Sequence, residues 1–423
     1  DRGVPFAYPP LAFYAAAVVV DVTPIDPLTL SRYAPPLLTV LYLIPYYFVA
    51  RELLDDRTEA GVATTLLAVT PPVLQWHLSA GGLVRSTAFL ITLTGLYTGI
   101  RLFRSGERRW LLASTLLFGL AVLSHPVYTV FFGLSYLLLY LQLDRSPRGL
   151  LRGAAVALGG LLLSMPWWLS VAAAHGVGVF TAAAGTHTGL FGGVDRLLDQ
   201  FVYPLVTSVP VPLFFLLAFG GGFYLLGRRR PFLPAWLVAA AVVIGKARFQ
   251  FVPGSMMAAV FLIAMARAFA REYFPAREWR RAADVADATR VAVAAVVLVA
   301  VVVGVMFGGA ALPQAHHGSP SQPQFMTQTD ADAMAWAVTN TAPSSEFVVL
   351  GDAAEWFPLL TNRTILVGPW GVEWRSPDRY QRQLSLFKTL STCDSERCVT
   401  EHLRRANLCP DYLYVPKGAY TVR

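Results

Sequence analysis

Charge is scarce in this sequence. Only 14% of its 423 residues are Asp, Glu, Lys or Arg, against about 25% in a typical soluble domain. A water-facing surface of this size needs more charge than that, which argues against a soluble globular protein. Lysine is scarcer still, with Lys246, Lys388 and Lys417 the only three. The net charge of +8 rests on arginines in short clusters between apolar runs. No continuous basic face results, so the chain has no nucleic-acid partner. Walker loops, dinucleotide fingerprints and catalytic nucleophile motifs are all missing, which argues against an enzyme drawing on a soluble nucleotide cofactor. The sequence opens at Asp1 with neither a Met nor a signal-type apolar run, and reads as N-terminally truncated.

Apolar residues are what the chain has in plenty: 55% of the sequence, with a mean hydropathy of +0.51. A bilayer-crossing helix takes about 20 mostly apolar residues. Ten segments qualify, at 34–51, 60–77, 84–103, 110–124, 126–143, 153–172, 202–226, 232–246, 251–268 and 291–312. Residues 9–20 are too short to cross and, with Tyr8, Phe13 and Tyr14, read as a helix lying in the interface. Alternate loops differ sharply in basic residues: eighteen arginines in one set, and only Arg196, Lys246 and Arg248 in the other. The positive-inside rule then puts the first set in the cytoplasm and residues 1–33 and everything after 312 outside.

The fold expected is therefore a polytopic α-helical membrane protein, with residues 34–312 as its transmembrane domain. Residues 313–423 follow as a small extracytoplasmic α/β domain. That tail opens on a Pro/Gln/Ser/His linker, and its acidic and basic residues nearly balance. Phe347–Leu350, Ile365–Val367 and Tyr412–Val415 read as strands separated by helical patterns, which predicts a parallel sheet. All three cysteines lie here. Cys393 and Cys398 are spaced for a local disulfide, or with His402 for a metal. Asn362-Arg363-Thr364 matches an N-glycosylation sequon.

Topology singles out a few polar residues. Lys246, Arg248 and Gln250 share an outer turn, where cations are otherwise rare. A bound phosphate would explain them through charge-assisted bonds, as would snorkelling to headgroups. Arg85 stands at the outer mouth of a span, where a charge is a functional candidate or an interfacial anchor. His125, in the tight turn Ser124-His125-Pro126, and His175, His187, Asp195 and Asp199 could serve a divalent ion or act as acid/base, though their spacing fits no metal motif.

The run Phe6-Ala-Tyr8-Pro9-Pro10-Leu11-Ala-Phe13-Tyr14 resembles the "PPL-Y" element in the first outer loop of GT-C-fold glycosyltransferases. That class includes the protein O-mannosyltransferases and the aminoarabinose transferase of lipid A. Ser31 to Tyr42 looks like the start of their second transmembrane helix, and Leu78–Arg85 occupies the place of their "S-R-x(4)-D" element. Ala247-Arg248-Phe249 through Pro253 is similar to the turn opening a late helix, and the outer C-terminal domain is like that of archaeal members. The resemblance implies transfer of a sugar from a polyprenyl-phosphate carrier to a protein, lipid or glycan acceptor at the outer face. Lys246, Arg248, Arg85, His125, Gln250 and Tyr8 are the candidates to hold the lipid phosphate and substrate. No cofactor is certain, and a divalent metal is an option. The family's first-loop catalytic carboxylate has no counterpart here and would lie upstream of residue 1, and the neighbourhood of Arg85 lacks the second. The Glu355-Trp356 and Glu373-Trp374 pairs would either stack on sugar or serve packing. A transporter or flippase of a lipid-linked or small polar substrate is the alternative; it predicts inverted repeats and mid-membrane charges, of which the sequence shows little.

Overall fold

The computed structural model describes residues 6–78, 82–186, 193–194, 212–273 and 326–415. The chain divides into two compact units, one made from residues 9–167 and 189–311, the other from 1–8, 168–188 and 312–423.

The larger unit is helical. Its described helices are α1 (Leu11–Val22), α2 (Pro27–Leu41), α3 (Leu43–Leu53), α4 (Arg57–Ala68), α5 (Pro71–Leu78), α6 (Gly82–Ser105), α7 (Arg108–Val122), α8 (Pro126–Leu143) and α9 (Pro147–Leu163). After α10 (Met165–His175), which runs across the boundary between the units, and α11 (Gly178–Thr186) of the other unit come α12 (Pro212–Gly227), α13 (Phe232–Ile244) and α14 (Ala247–Tyr273). Their starts follow local chemistry. Asp26 accepts from the Leu28 and Thr29 amides at 3.0 and 3.1 Å, and Pro27 at the first helical position sacrifices no bonded N–H. Ser146 caps α9 in the same way, again followed by a proline.

Among the described residues, four helical stretches are long and apolar enough to cross a membrane: Pro27–Leu53, Gly82–Ser105, Pro126–Leu143 and Ala247–Phe269. The pair α9 and α10, bent by 57°, would make a fifth. The expected span 60–77 is not one helix, because α4 ends at Ala68 and α5 starts at Pro71. Proline supplies no N–H and crowds the preceding turn, so an apolar run crossing Pro71-Pro72 is interrupted there. The segment 110–124 corresponds to the 15-residue α7, and 232–246 to the 13-residue α13. Residues 202–211 and the span expected at 291–312 lie outside the described residues. α1 is a short apolar helix with Phe13 and Tyr14 exposed.

Close helix approach is built on small residues. In α6, Gly95 and Gly99 stand one turn apart beneath Phe132 and Tyr136 of α8. An added Cβ would lie 2.1 Å from Phe132 Cζ and 2.5 Å from Tyr136 Cζ respectively. The Tyr136 hydroxyl donates to the Gly95 carbonyl at 2.9 Å. This is a G-x-x-x-G groove holding two aromatic rings where helix dimers place a backbone. At helix ends, arginines pair with carboxylates: Arg101 and Arg104 with Glu52, Arg230 with Asp55, Arg267 with Asp56 and Arg152 with Asp144.

The other unit contains α11, α15 (Gln328–Asn340), α16 (Phe357–Thr361), α17 (Pro377–Ser391) and α18 (Glu396–Arg405). It also holds a three-stranded parallel sheet in the order β2-β1-β3, made of β1 (Glu346–Val349), β2 (Thr364–Ile365) and β3 (Tyr412–Tyr414). A capping box of Thr327 and Asp330 starts α15. The Arg363 guanidinium donates to the carbonyls of Val338 and Thr341 at the end of α15 and of Thr361 at the end of α16. A cation thus meets the negative ends of two helices. Cys393 and Cys398 are joined in a disulfide between α17 and α18, while Cys409 is free and exposed.

Candidate functional site

Four helix ends of the larger unit bring their polar and aromatic residues together: the C-terminus of α5 and the N-termini of α6, α8 and α14. The sequence places Arg85 in the first turn of α6 and Arg248 in the first turn of α14. A helix N-terminus already carries about half a positive charge, so a cation there works against the macrodipole. Both guanidinium groups rest instead on one indole. Arg85 lies 4.9 Å and Arg248 5.3 Å from the centre of the Trp76 ring. Arg248, only 6% exposed, also faces Tyr128 at 5.4 Å and Phe249 at 5.0 Å. Cation–π contacts contribute about 0.5–2 kcal/mol each, most where water is excluded. The Arg85 side chain further donates to the Trp76 carbonyl at 3.3 Å.

Beneath the arginines, His77 fixes the aromatic shell. Its Nε2 is hydrogen-bonded to the Tyr128 hydroxyl at 2.7 Å, its ring stacks on Phe89, and Tyr42 meets it edge-on. Phe249 then bridges Phe89, Tyr128 and Phe131. The turn between α5 and α6 is tight: a Cβ on Gly82 would lie 2.3 Å from the His77 carbonyl oxygen. Only glycine allows the two helix ends this approach.

The candidates from sequence fare differently. Arg85 and Arg248 converge. The turn expected around Lys246–Gln250 is shorter than its residues suggest: Gly245 caps α13 in the left-handed conformation, Lys246 follows, and α14 has begun by Ala247. Arg248 and Gln250 are therefore helical. Gln250 is 1% exposed, and among the described residues neither its amide oxygen nor its nitrogen has a hydrogen-bond partner. His125 has a local duty, its Nδ1 accepting from the Val127 amide at 3.3 Å to cap α8, with its ring against Tyr128. Tyr8 belongs to the other unit, where its ring meets Trp374 edge-on. His175 ends α10, while His187, Asp195 and Asp199 lie outside the described residues. Trp76, His77 and Tyr128 escaped sequence reasoning. Their one signal is position, a Trp-His pair just before a glycine-marked helix break and an arginine.

Metal ligation has one candidate among the described residues. Cys393, Cys398 and His402 hold their ligand atoms within 4.8 Å of one another. The two sulfurs are bonded to each other, and a disulfide offers no thiolate, so this group does not fit a metal.

The family described as dolichyl-phosphate-mannose-protein mannosyltransferase matches residues 7–169. The Archaeoglobus fulgidus oligosaccharyltransferase, tethered with an acceptor peptide containing the NVT sequon, superposes with a TM-score of 0.53 at 15% identity, over 95% of this chain and 60% of that one. Archaeal oligosaccharyltransferase AglB from the same organism, in complex with an inhibitory peptide and a dolichol-phosphate, gives 0.50 at 16% identity, over 95% and 61%. The Archaeoglobus fulgidus enzyme in complex with Zn and sulfate gives 0.51 at 14%, over 95% and 58%. No curated protein matches by sequence. Matches at such identities establish the fold, and the chain spans about 60% of the length of these structures. Residues 7–169, less than half of the chain, match that family, and the chain as a whole shares the fold of the archaeal structures.

Proposed function

We propose that this chain transfers a sugar from a polyprenyl-phosphate-linked donor to a protein, lipid or glycan acceptor at the outer membrane face. The observation that carries the reading is the convergence of Arg85 and Arg248, each at a helix N-terminus, on the two-cation platform of Trp76. Helix N-termini and guanidinium groups favour the same ligand, an anion with several acceptor oxygens. A phosphate between a sugar and a lipid tail is such an anion. In the transfer, the arginines stabilise charge growing on the leaving phosphate, a role that strengthens toward the transition state. Lys246, two residues before Arg248, adds to the same field. His77 and Tyr128 keep the platform rigid, so that little reorganisation accompanies binding. In this reading the body crosses the membrane several times, and residues 313–423 form an extracytoplasmic domain that handles the acceptor. The acceptor nucleophile is deprotonated by a carboxylate outside the cluster around Trp76.

The test is binding of polyprenyl phosphate to the purified protein in detergent, with the corresponding polyprenol as control. The reading expects the phosphate to bind at least tenfold more tightly, and the Arg85→Ala/Arg248→Ala double variant to lose that preference. Equal binding of the two lipids by the unaltered protein would sink it.

A further inference from the structure

Asn362, Arg363 and Thr364 sit at the junction of α16 and β2, and the fold treats the three very differently. Asn362 caps α16 in the left-handed conformation, φ 52° and ψ 36°, a place where glycine is the default and asparagine the usual substitute. It is exposed, and among the described residues its carboxamide makes no hydrogen bond. Arg363 is 8% exposed and tied down by its guanidinium, which reaches Thr341 Oγ1 as well as the three helix-end carbonyls. Thr364 opens β2 and pairs with Glu346 of β1. Among the described residues the fold thus leaves the asparagine amide unused, with a threonine two residues on.

We infer that Asn362 is an N-glycosylation acceptor, modified by an oligosaccharyltransferase acting on this chain from a lipid-phosphate-linked glycan donor. The inference rests on the reading above that residues 313–423 face outward. In the step, a bond forms between Asn362 Nδ2 and the anomeric carbon of the donor sugar. The bond from that carbon to the carrier's phosphate oxygen breaks, and the proton lost by the amide ends on the released lipid phosphate.

The same geometry sets the timing. A transferase that reads Asn and Thr together must hold three consecutive residues clear of their own fold. Here the middle residue is anchored by four side-chain hydrogen bonds and the third lies in the β1–β2 ladder. Transfer therefore precedes docking of β2 on β1. Once the unit has folded, the glycan leaves from an exposed helix cap and displaces nothing.

The experiment is mass spectrometry of the peptide spanning Asn362, from full-length chain purified out of its own host's membranes, together with labelling of the exposed Cys409 in intact cells by a membrane-impermeant maleimide. The expected result is a glycan mass on Asn362, absent in both Thr364→Val and Asn362→Gly, with Cys409 labelled. Thr364→Val keeps a β-branched residue in the strand and Asn362→Gly keeps the left-handed cap, so each checks the other should one fold poorly. Unmodified Asn362 with Cys409 labelled overturns the inference and leaves the orientation standing. Unmodified Asn362 with Cys409 protected until lysis overturns both.

Discussion

Tyr128 performs two separable tasks, and one substitution divides them. Tyr128→Phe keeps the ring face, 5.4 Å from the Arg248 guanidinium, and removes the hydroxyl 2.7 Å from His77 Nε2. His77 is fully buried and among the described residues its Nδ1 already lacks a hydrogen-bond partner, so the substitution leaves both ring nitrogens without one there. A buried polar group orphaned in this way costs about 1–3 kcal/mol. The expected result is a stability loss of that size, read by equilibrium unfolding in mixed micelles, with affinity for polyprenyl phosphate changed less than about threefold, or ~0.6 kcal/mol. Tyr128→Leu removes the ring too, and should weaken phosphate binding by about 0.5–2 kcal/mol. His77→Phe takes away the other partner of the bond and can stack on Phe89 in its place. Replacing both partners of a buried hydrogen bond by apolar rings is nearly neutral, so Tyr128→Phe/His77→Phe should recover much of the loss, with a coupling energy of about 1–2 kcal/mol. Strict additivity of the two single changes, or a Tyr128→Phe protein as stable as the parent, would refute the assignment of His77 as the anchor of the platform.

Two further outcomes are expected. Gly95→Ala drives a methyl to 2.1 Å from Phe132, an overpacking cost of about 1–3 kcal/mol; Phe132→Leu in the same chain should relieve it, and a Gly95→Ala protein with an unchanged apparent Tm would contradict the groove. In the smaller unit, burial, with a lesser contribution from the charge of Glu355, raises the Glu373 carboxyl above its ordinary range. A raised folded-state pKa means the native state holds its proton longer than the unfolded chain, so stability declines as pH rises through the window above the ordinary value of 4.5. Glu373→Gln should therefore resist proteolysis better than the parent at neutral pH, with the advantage fading toward pH ~4; an advantage independent of pH would point to packing instead.

Long apolar helices were legible in the sequence because length and composition suffice to define them: the runs at 84–103, 126–143 and 251–268 lie within α6, α8 and α14. The break between α4 and α5 was not, since summing hydropathy across Pro71-Pro72 ignores the backbone donor that proline lacks. Arg85 and Arg248 could be found by their sidedness, as cations where few occur. Trp76, His77 and Tyr128 could not, because an aromatic or histidine inside an apolar run has the same signature whether it packs a core or carries a cation. His125 shows the converse. Its tight turn suggested ligand chemistry, and its Nδ1 has a further duty that the sequence did not show, accepting from the Val127 amide to start α8. Tyr8 sits close in sequence to α1 yet belongs to the other unit, a separation that linear distance conceals.

The arginines that tell one set of loops from the other have a second life once the chain is folded. During insertion each is a lone cation, and its cost of crossing the bilayer helps fix the direction of the neighbouring helix. Afterwards Arg101, Arg104, Arg230 and Arg267 meet Glu52, Asp55 and Asp56 around the short connection from α3 to α4. The address label becomes a clasp, gathering α6, α14 and the loop before α13 onto one hairpin. The patch around that connection is then closer to neutral than its four arginines suggest. It should draw anionic lipid less strongly than a count of basic residues implies, since attraction of about 1 kcal/mol per cation presumes the cation is unneutralised.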